Sequence, residues 1–275
     1  MFPALLLALR EGLEAALVIG ILLGTLRQIR RNDLRPAVWQ GLLAALLVAL
    51  GAGGLLYALS LPLEGAAEKI YEGVTMLLAA SVLTWMIFWM QHHAASLKES
   101  LATKVRRDAL SGGRLPLFLI AFFAVVREGL ELALFLTATT LTEGLSATLV
   151  GALLGLIAAA ALGWGLFASL IRLDLRRFFV ITGVLLTLFA AGLVAHGMHE
   201  FIELGWLPTL LDPVWNTNPL LPEQSPLGRL LTALFGYNGN PSLTEVLAYW
   251  GYLLLIALPF LHTKRRGMAT TPGRA

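Results

Sequence analysis

Cysteine is absent from the 275 residues. Its absence excludes disulfides, thiolate metal sites and iron–sulfur clusters, and removes the best ligands for soft metals such as Cu⁺. Charge is scarce as well. Asp, Glu, Lys and Arg make up 13% of the chain and hydrophobic residues 57%, where a soluble domain has roughly 25% charged residues. The mean hydropathy is +0.77. Such a composition describes an integral membrane protein. A net charge of +3 would suit a nucleic-acid partner, but the basic residues fall in short loops between apolar segments, where they report membrane topology. Nucleic-acid binding is set aside on that ground. The first apolar run has no basic n-region before it and no A-x-A site after it, so a retained helix is expected there.

Seven apolar segments are long enough to span a bilayer, at about 2–26, 38–60, 70–91, 115–139, 146–170, 178–200 and 243–262. The loops between them sort by charge. Arg27, Arg30, Arg31 and Arg35 follow the first segment, and Lys98, Lys104, Arg106, Arg107 and Arg114 follow the third. Arg172, Arg176 and Arg177 follow the fifth, and Lys264, Arg265, Arg266 and Arg274 the seventh. Arg10 and Arg127 are intramembrane, which leaves Lys69 and Arg229 for the opposite side. The positive-inside rule then puts the N-terminus outside and the C-terminus in the cytoplasm. The expected fold is all-α: a polytopic membrane protein of seven transmembrane helices in one domain, 1–275. Repeat one covers 1–92, repeat two 115–203, an external loop 204–242 and a seventh helix 243–262. Three spans per half thread the halves in opposite directions, so the arrangement is an inverted 3+3 repeat plus one helix.

The repeat announces itself in a motif. Arg10-Glu11-Gly12-Leu13-Glu14 recurs letter for letter at Arg127-Glu128-Gly129-Leu130-Glu131, both times inside an apolar segment. On a helix the three charges of each copy fall within one arc of about 100°. Each charge costs ~2.5–3.5 kcal/mol in hydrocarbon by insertion scales, so six of them belong in a bundle interior or a water-filled path. Arg10 with Glu14, and Arg127 with Glu131, form i,i+4 pairs that would simply lock helices together. That leaves one glutamate over in each copy. Four carboxylates against two guanidinium groups give a formal charge of −2, which protons or a metal cation must balance. At 1.5 Å per residue Glu11 lies about 14 Å from the outer end of its helix and Glu128 about 20 Å from the inner end of its own. Both depths fall near the midplane of a ~30 Å core.

Other polar groups cluster at membrane ends. Glu64, Glu68 and Glu72 are spaced by four, a like-charge ladder at the outer start of the third span, with Glu72 deepest. His196, His199, Glu200 and Glu203 share one arc at the outer end of the sixth, at metal-ligand spacing. Glu68, His196 and Glu203 are read as candidate ligands at an outer mouth. His92 and His93 sit where an exit would lie, and an interfacial position explains them equally well. The proline-rich stretch from Glu203 to Pro241 reads as an irregular external cap, with a short interfacial helix near Leu227 to Phe235. Residues 94–110 read as an amphipathic cytoplasmic helix. Gly20/Gly24 and Gly151/Gly155 read as close helix packing, and Trp85, Met86, Trp89 and Met90 as packing and interface anchoring.

Carboxylates with some imidazole and no thiolate suit Fe²⁺, Fe³⁺ or Mn²⁺ better than Cu⁺. Physical chemistry alone stops at a cation transporter. The chain resembles the oxidase-dependent iron permeases, most closely their bacterial EfeU-type members. The features that carry the resemblance are the two Arg-Glu-Gly-Leu-Glu motifs, Tyr71-Glu72-Gly73, the run Leu83-Thr84-Trp85-Met86-Ile87-Phe88-Trp89-Met90, Ala190-Ala191-Gly192-Leu193, His199-Glu200 and Leu234-Phe235-Gly236-Tyr237. The resemblance implies a multi-pass protein of the cytoplasmic (inner) membrane that takes up iron with high affinity, as Fe³⁺ after oxidation or as Fe²⁺. It implies no enzyme activity and no permanently bound cofactor, with the iron ion as transported substrate. Glu11, Glu14, Glu128 and Glu131 would be the iron-binding carboxylates and Arg10 and Arg127 their motif partners. Glu72, His199 and Glu200 join them as metal-ligand candidates. Because the chain has no large soluble domain, oxidation would fall to an extracytoplasmic partner, in bacteria a periplasmic iron-binding protein with a haem peroxidase. Two alternatives stand beside this: transport of another cation (Mn²⁺, Pb²⁺ or protons), and a membrane-embedded di-iron oxidase. The missing Glu-x-x-His beside the midplane glutamates counts against the oxidase.

Overall fold

The computed structural model describes residues 1–93, 97–111, 113–168 and 174–268. Arg172 and Arg274 of the basic loops lie outside the described residues, as do residues 94–96 of the expected surface helix. The side chains of Met90, His92 and His93 are also outside them. Among the described residues there are nine α-helices and no strand. They are α1 (Phe2–Gln28), α2 (Arg35–Ser60), α3 (Ala66–His93), α4 (Leu97–Ser111), α5 (Arg114–Glu143), α6 (Leu145–Phe167), α7 (Leu175–Glu203), α8 (Pro226–Phe235) and α9 (Leu243–Met268).

Local chemistry sets the ends. Pro3, Pro36 and Pro226 stand in first turns, where a missing N–H costs nothing. Gly144, at φ +84°, is all that separates α5 from α6, and Gly236, at φ +66°, closes α8. Hydroxyls inside the apolar helices bond back to their own backbone, as Thr137 to the Ala133 carbonyl at 2.9 Å and Thr84 to Ala80 at 2.7 Å.

Four helices among the described residues are long and apolar enough to cross a membrane: Asn32–Ser60, Ala66–Trp89, Leu145–Phe167 and Arg177–Glu203. Helices α1 and α5 have spanning length, 27 and 30 residues, but each carries the three charges of its motif at mid-helix. Helix α9 has a shorter apolar stretch, Leu243–Leu258. The outward faces of α2 and α6 are apolar, with Leu43, Leu47, Leu50, Leu149, Leu153 and Ile157 all exposed. In water such a surface would drive association; in lipid it is simply solvated.

The two halves are interleaved. Helix α1 packs along α6 and α2 along α5, so each motif helix takes its main partner from the other half. Both seams are built of small residues four apart. A Cβ at Gly41 would stand 2.5 Å from the Phe118 carbonyl oxygen and 2.9 Å from the Ala121 Cβ, and one at Gly129 would stand 2.6 Å from the Ala49 Cβ. On the other seam Gly151 meets the Met1 carbonyl and Gly155 the Leu5 carbonyl. Cβ atoms at Gly12 and Gly163 would stand 2.8 Å from Ala159 and 2.7 Å from Ala16. Small-xxx-small ridges let helix backbones approach where the surrounding lipid offers no hydrophobic drive. The expected close packing at Gly20/Gly24 amounts to ordinary contact with Phe167, at 3.7 and 3.8 Å.

Helices α1 and α5 run antiparallel. The Met1 amino group pairs with Glu143 at the end of α5. At the other end Arg31, just past α1, donates to the Ala109 carbonyl at 2.6 Å, shortly before α5 begins. The core splits accordingly. One apolar cluster joins Leu7 with Leu83, Phe135 and Leu193; the other joins Leu22 and Leu26 with Val105, Leu117 and Val125. The two motifs occupy the polar layer between the clusters.

Candidate metal centre

Helical phase turns Arg10, Glu11 and Glu14 of α1 toward the same residues of α5, while Gly12 and Gly129 face the seams. Arg10 and Glu11 are each 1% exposed, and Glu128 and Glu131 are buried with them. Carboxylate oxygens of Glu11, Glu128 and Glu131 lie within 4.8 Å of one another. Oxygens bound to one transition-metal ion at about 2.0–2.2 Å stand up to roughly twice that distance apart, so a small cation fits among these three with minor adjustment.

The arginines do not share this space equally. Arg10 Nε donates to Glu14 Oε1 at 3.2 Å, and Arg127 Nε donates to Glu131 Oε1 at 2.9 Å. Two carboxylates are thereby matched, and Glu11 and Glu128 carry the formal −2 that remains. Carboxylate oxygens of the two stand within 4.8 Å of each other, a like-charge approach that a proton or a cation between them relieves. No donor among the described residues reaches either oxygen of Glu11, or Oε2 of Glu128 and Glu131, all of them buried. Buried orphaned acceptors on this scale are rare in folded proteins and mark a site whose partner is not protein. Of the four motif glutamates the structure therefore gathers three, and holds Glu14 against Arg10.

The second arginine has a setting the sequence did not announce. The Arg127 guanidinium lies 4.9 Å from the Trp85 ring centroid and 4.3 Å from that of Trp89, both on α3. Cation–π attraction to two indoles fixes it. Arg127 is 30% exposed where Arg10 is 1%, so only one of the two motif arginines is sealed in. Trp85 and Trp89 read as packing and interface residues in the sequence; their four-residue spacing was the available signal, since it stacks two indoles on one face.

At the C-terminal end of α7 the structure keeps part of the group that the sequence marks and brings further partners to it. Glu203 bonds Lys69 Nζ at 2.5 Å and His199 Nε2 at 3.1 Å. His199 Nδ1 bonds Glu245 Oε1 at 3.1 Å. Glu245, in the first turn of α9, also accepts from the Ser242 hydroxyl at 2.8 Å and from Asn238 Nδ2 at 2.8 Å. It is 5% exposed. This chain of contacts ties α3, α7, α9 and the external loop together, and nothing in the sequence pattern marks Glu245 or Asn238 as its members. Glu68, Glu72 and Glu200 lie close enough to repel one another. Among the described residues no metal-sized cluster forms from them. His196 turns away from this chain: its Nδ1 faces the Gly192 carbonyl at 2.9 Å.

Two sequence motifs meet nearby. Gly192 on α7 touches Gly236 at the end of α8, where a Cβ on Gly192 would lie 2.7 Å from the Gly236 Cα. Only a pair of glycines permits that backbone contact, and it pins the external loop to the bundle.

The Iron permease FTR1 family pattern matches residues 1–268. The chain is 33% identical over 269 residues to the ferrous iron permease EfeU of Escherichia coli O6:K15:H31 (strain 536 / UPEC), covering 97% of this chain and 98% of that one. It is 33% identical over 258 residues to the ferrous iron permease EfeU of Yersinia pestis, covering 92% and 91%. The same protein of Shigella sonnei (strain Ss046) is 33% identical over 269 residues, covering 97% and 98%. No solved structure matches.

Proposed function

Because the chain belongs to the iron permease FTR1 family, we propose that it carries iron across the cytoplasmic membrane through a midplane site made by Glu11, Glu128 and Glu131. The observation that carries this reading is the orphaned carboxylate set, three buried glutamates from two antiparallel helices with their free oxygens turned to one point. Seven spans, with the N-terminus outside and the C-terminus in the cytoplasm, put that point at the bilayer centre. The interleaved halves are then an inverted repeat about it.

Charge balance selects the ion. With Glu14 and Glu131 matched by arginine, Glu11 and Glu128 supply −2, which a divalent ion neutralises without disturbing either pair. A trivalent ion needs Glu131 to leave Arg127. We therefore assign Fe²⁺ as the ion the resting site accepts, and Fe³⁺ as one that demands release of Arg127. Any oxidation of iron belongs to a separate extracytoplasmic partner, since this chain is a transporter and not an enzyme. Rocking of the two halves about the site would expose the carboxylates first to one side and then to the other. Arginines paired with Glu14 and Glu131 hold the empty layer together between turnovers.

Uptake of labelled iron into proteoliposomes tests the reading, with Fe²⁺ under anaerobic conditions and Fe³⁺ supplied separately. Saturable Fe²⁺ uptake lost in a Glu11→Gln/Glu128→Gln variant is the expected result. Uptake that survives in that variant, or none of either ion by folded wild-type protein, overturns it.

A further inference from the structure

The external loop does more than cap the bundle. Between it and the outer ends of α7 and α9 lies a cavity of about 320 Å³, lined by His196, His199, Glu223, Tyr237, Asn238, Asn240 and Glu245. Its lining divides into residues whose hydrogen-bonding capacity is spent and residues whose capacity is open. Glu245 is spent on His199, Ser242 and Asn238, and His199 on Glu245 and Glu203. Tyr237 donates to the Leu221 carbonyl at 2.9 Å and shares a bond with Thr217 at 2.6 Å.

Two groups remain. A carbonyl can only accept, so the contact of His196 with Gly192 places the proton on Nδ1 and leaves a lone pair on Nε2, the other nitrogen of a ring that lines the cavity. Metal-binding histidines are commonly held this way, with the other nitrogen donating to a backbone carbonyl that sets tautomer and orientation. Glu223 uses Oε1 to accept from the Gly239 N–H at 2.5 Å, and its Oε2 has no partner among the described residues. One oxygen is thus anchored and the other presented. An imidazole nitrogen and a carboxylate oxygen on one wet cavity, with no thiolate, suit a borderline divalent cation of the first transition row. At about 30 Å³ per water, the volume leaves room for the ion to keep several of its waters.

We propose that this cavity is a second cation site, in which His196 Nε2 and Glu223 Oε2 bind a partly hydrated divalent cation on the extracytoplasmic side. The site lies apart from the midplane glutamates. His196 is one helical turn along α7 from Gly192, whose backbone packs on Gly236. The proposal extends the permease reading, since a site here would load the deeper one. Binding, and not transport, therefore tests it.

The experiment uses the full-length purified chain carrying Glu11→Gln/Glu128→Gln, titrated with Mn²⁺ and followed by electron paramagnetic resonance. One saturable Mn²⁺ site is expected to persist in this variant. Adding Glu223→Gln should weaken that site at least tenfold, and adding His196→Ala should also abolish the nitrogen modulation in the pulsed spectrum of bound Mn²⁺. His196→Gln provides the check should the alanine variant unfold, with the same loss of nitrogen modulation expected. Absence of a saturable site in the midplane variant, or a site indifferent to both Glu223→Gln and the His196 substitutions, overturns the proposal. Either outcome leaves the permease reading to be judged by uptake alone.

Discussion

Gly129 and Ala49 sit so close that a Cβ on the glycine would lie 2.6 Å from the alanine Cβ. Gly12 and Ala159 repeat the arrangement at 2.8 Å on the other seam. The glycine of each charged motif is therefore a packing residue. It lets α5 settle on α2, and α1 on α6, at a depth that brings Glu128 and Glu131 to Glu11. Each motif encodes two things on two faces of one helical turn: charge toward the site and smallness toward the seam.

Replacing Gly129 with leucine should push α2 and α5 apart. Overpacking of this kind costs roughly 1–3 kcal/mol or more, and the strain falls on backbone-supported neighbours with little freedom to yield. We expect a lower thermal unfolding midpoint in detergent and a lower yield of folded protein. Gly54, which has nothing within 4 Å of an added Cβ, is the control, and Gly54→Leu should melt like wild type. Equal melting of both variants would mean that α2 and α5 have slack between them that the close Gly129–Ala49 contact denies.

Glutamates of one motif should respond with opposite signs when neutralised. Glu11 has no arginine bonded to it and no donor at either oxygen, so Glu11→Gln removes an uncompensated buried charge. The metal-free variant should melt at or above the wild-type temperature while Mn²⁺ or Fe²⁺ affinity at the midplane falls at least tenfold. Glu14 accepts from Arg10, which is 1% exposed. Glu14→Gln takes away the matched charge of a buried pair, a loss of about 3 kcal/mol. Calorimetry in the presence of a chelator reads both. A Glu11→Gln protein that melts well below Glu14→Gln would show that the roles are reversed.

The charged layer was legible in the sequence because an identical five-residue motif, twice placed inside an apolar segment, is too costly to keep in a membrane unless its charges meet at a shared polar site. Several helix positions were legible for a simpler reason, since spanning length and apolarity mark α2, α3, α6 and α7; α8 was anticipated at Leu227 to Phe235 and begins at Pro226. What pattern alone could not deliver was partner choice. Gly41, Ala45, Ala49 and Gly53 recur every four residues, as do Gly151, Gly155, Ala159 and Gly163, yet nothing in a single chain says which helix such a ridge faces. Interleaving of the halves is a property of the assembled bundle. The partners of the α7 group were hidden for a related reason: His196, His199, Glu200 and Glu203 share a helical face, but Lys69 from α3 and Glu245 from α9 arrive from distant sequence to bond Glu203 and His199. Glu223 reaches the same cavity from the external loop, where no periodicity exists to read.

The two motif arginines give the last test, because identical neighbours in sequence have unlike surroundings in space. Arg10 is sealed in beside Glu14 with 1% exposure, so Arg10→Gln should act mainly on folding and lower the yield of stable protein. Arg127 is 30% exposed and stacked on Trp85 and Trp89, outside the most tightly packed part of the site, and its charge competes directly with an incoming cation for Glu131. Arg127→Gln removes that competitor and adds one unmatched negative charge to the layer. Midplane affinity for Mn²⁺ or Fe²⁺ should therefore rise, by about tenfold if the net gain is near 1.4 kcal/mol. Release then becomes harder, so uptake into proteoliposomes should saturate at lower iron concentration with a lower maximal rate. Trp85→Leu/Trp89→Leu should move the protein the same way by a smaller amount, since each lost cation–π contact is worth about 0.5–1 kcal/mol at a partly exposed site. If Arg127→Gln instead weakens cation binding, Arg127 does not compete for Glu131, and the divalent preference assigned to the resting site loses its basis.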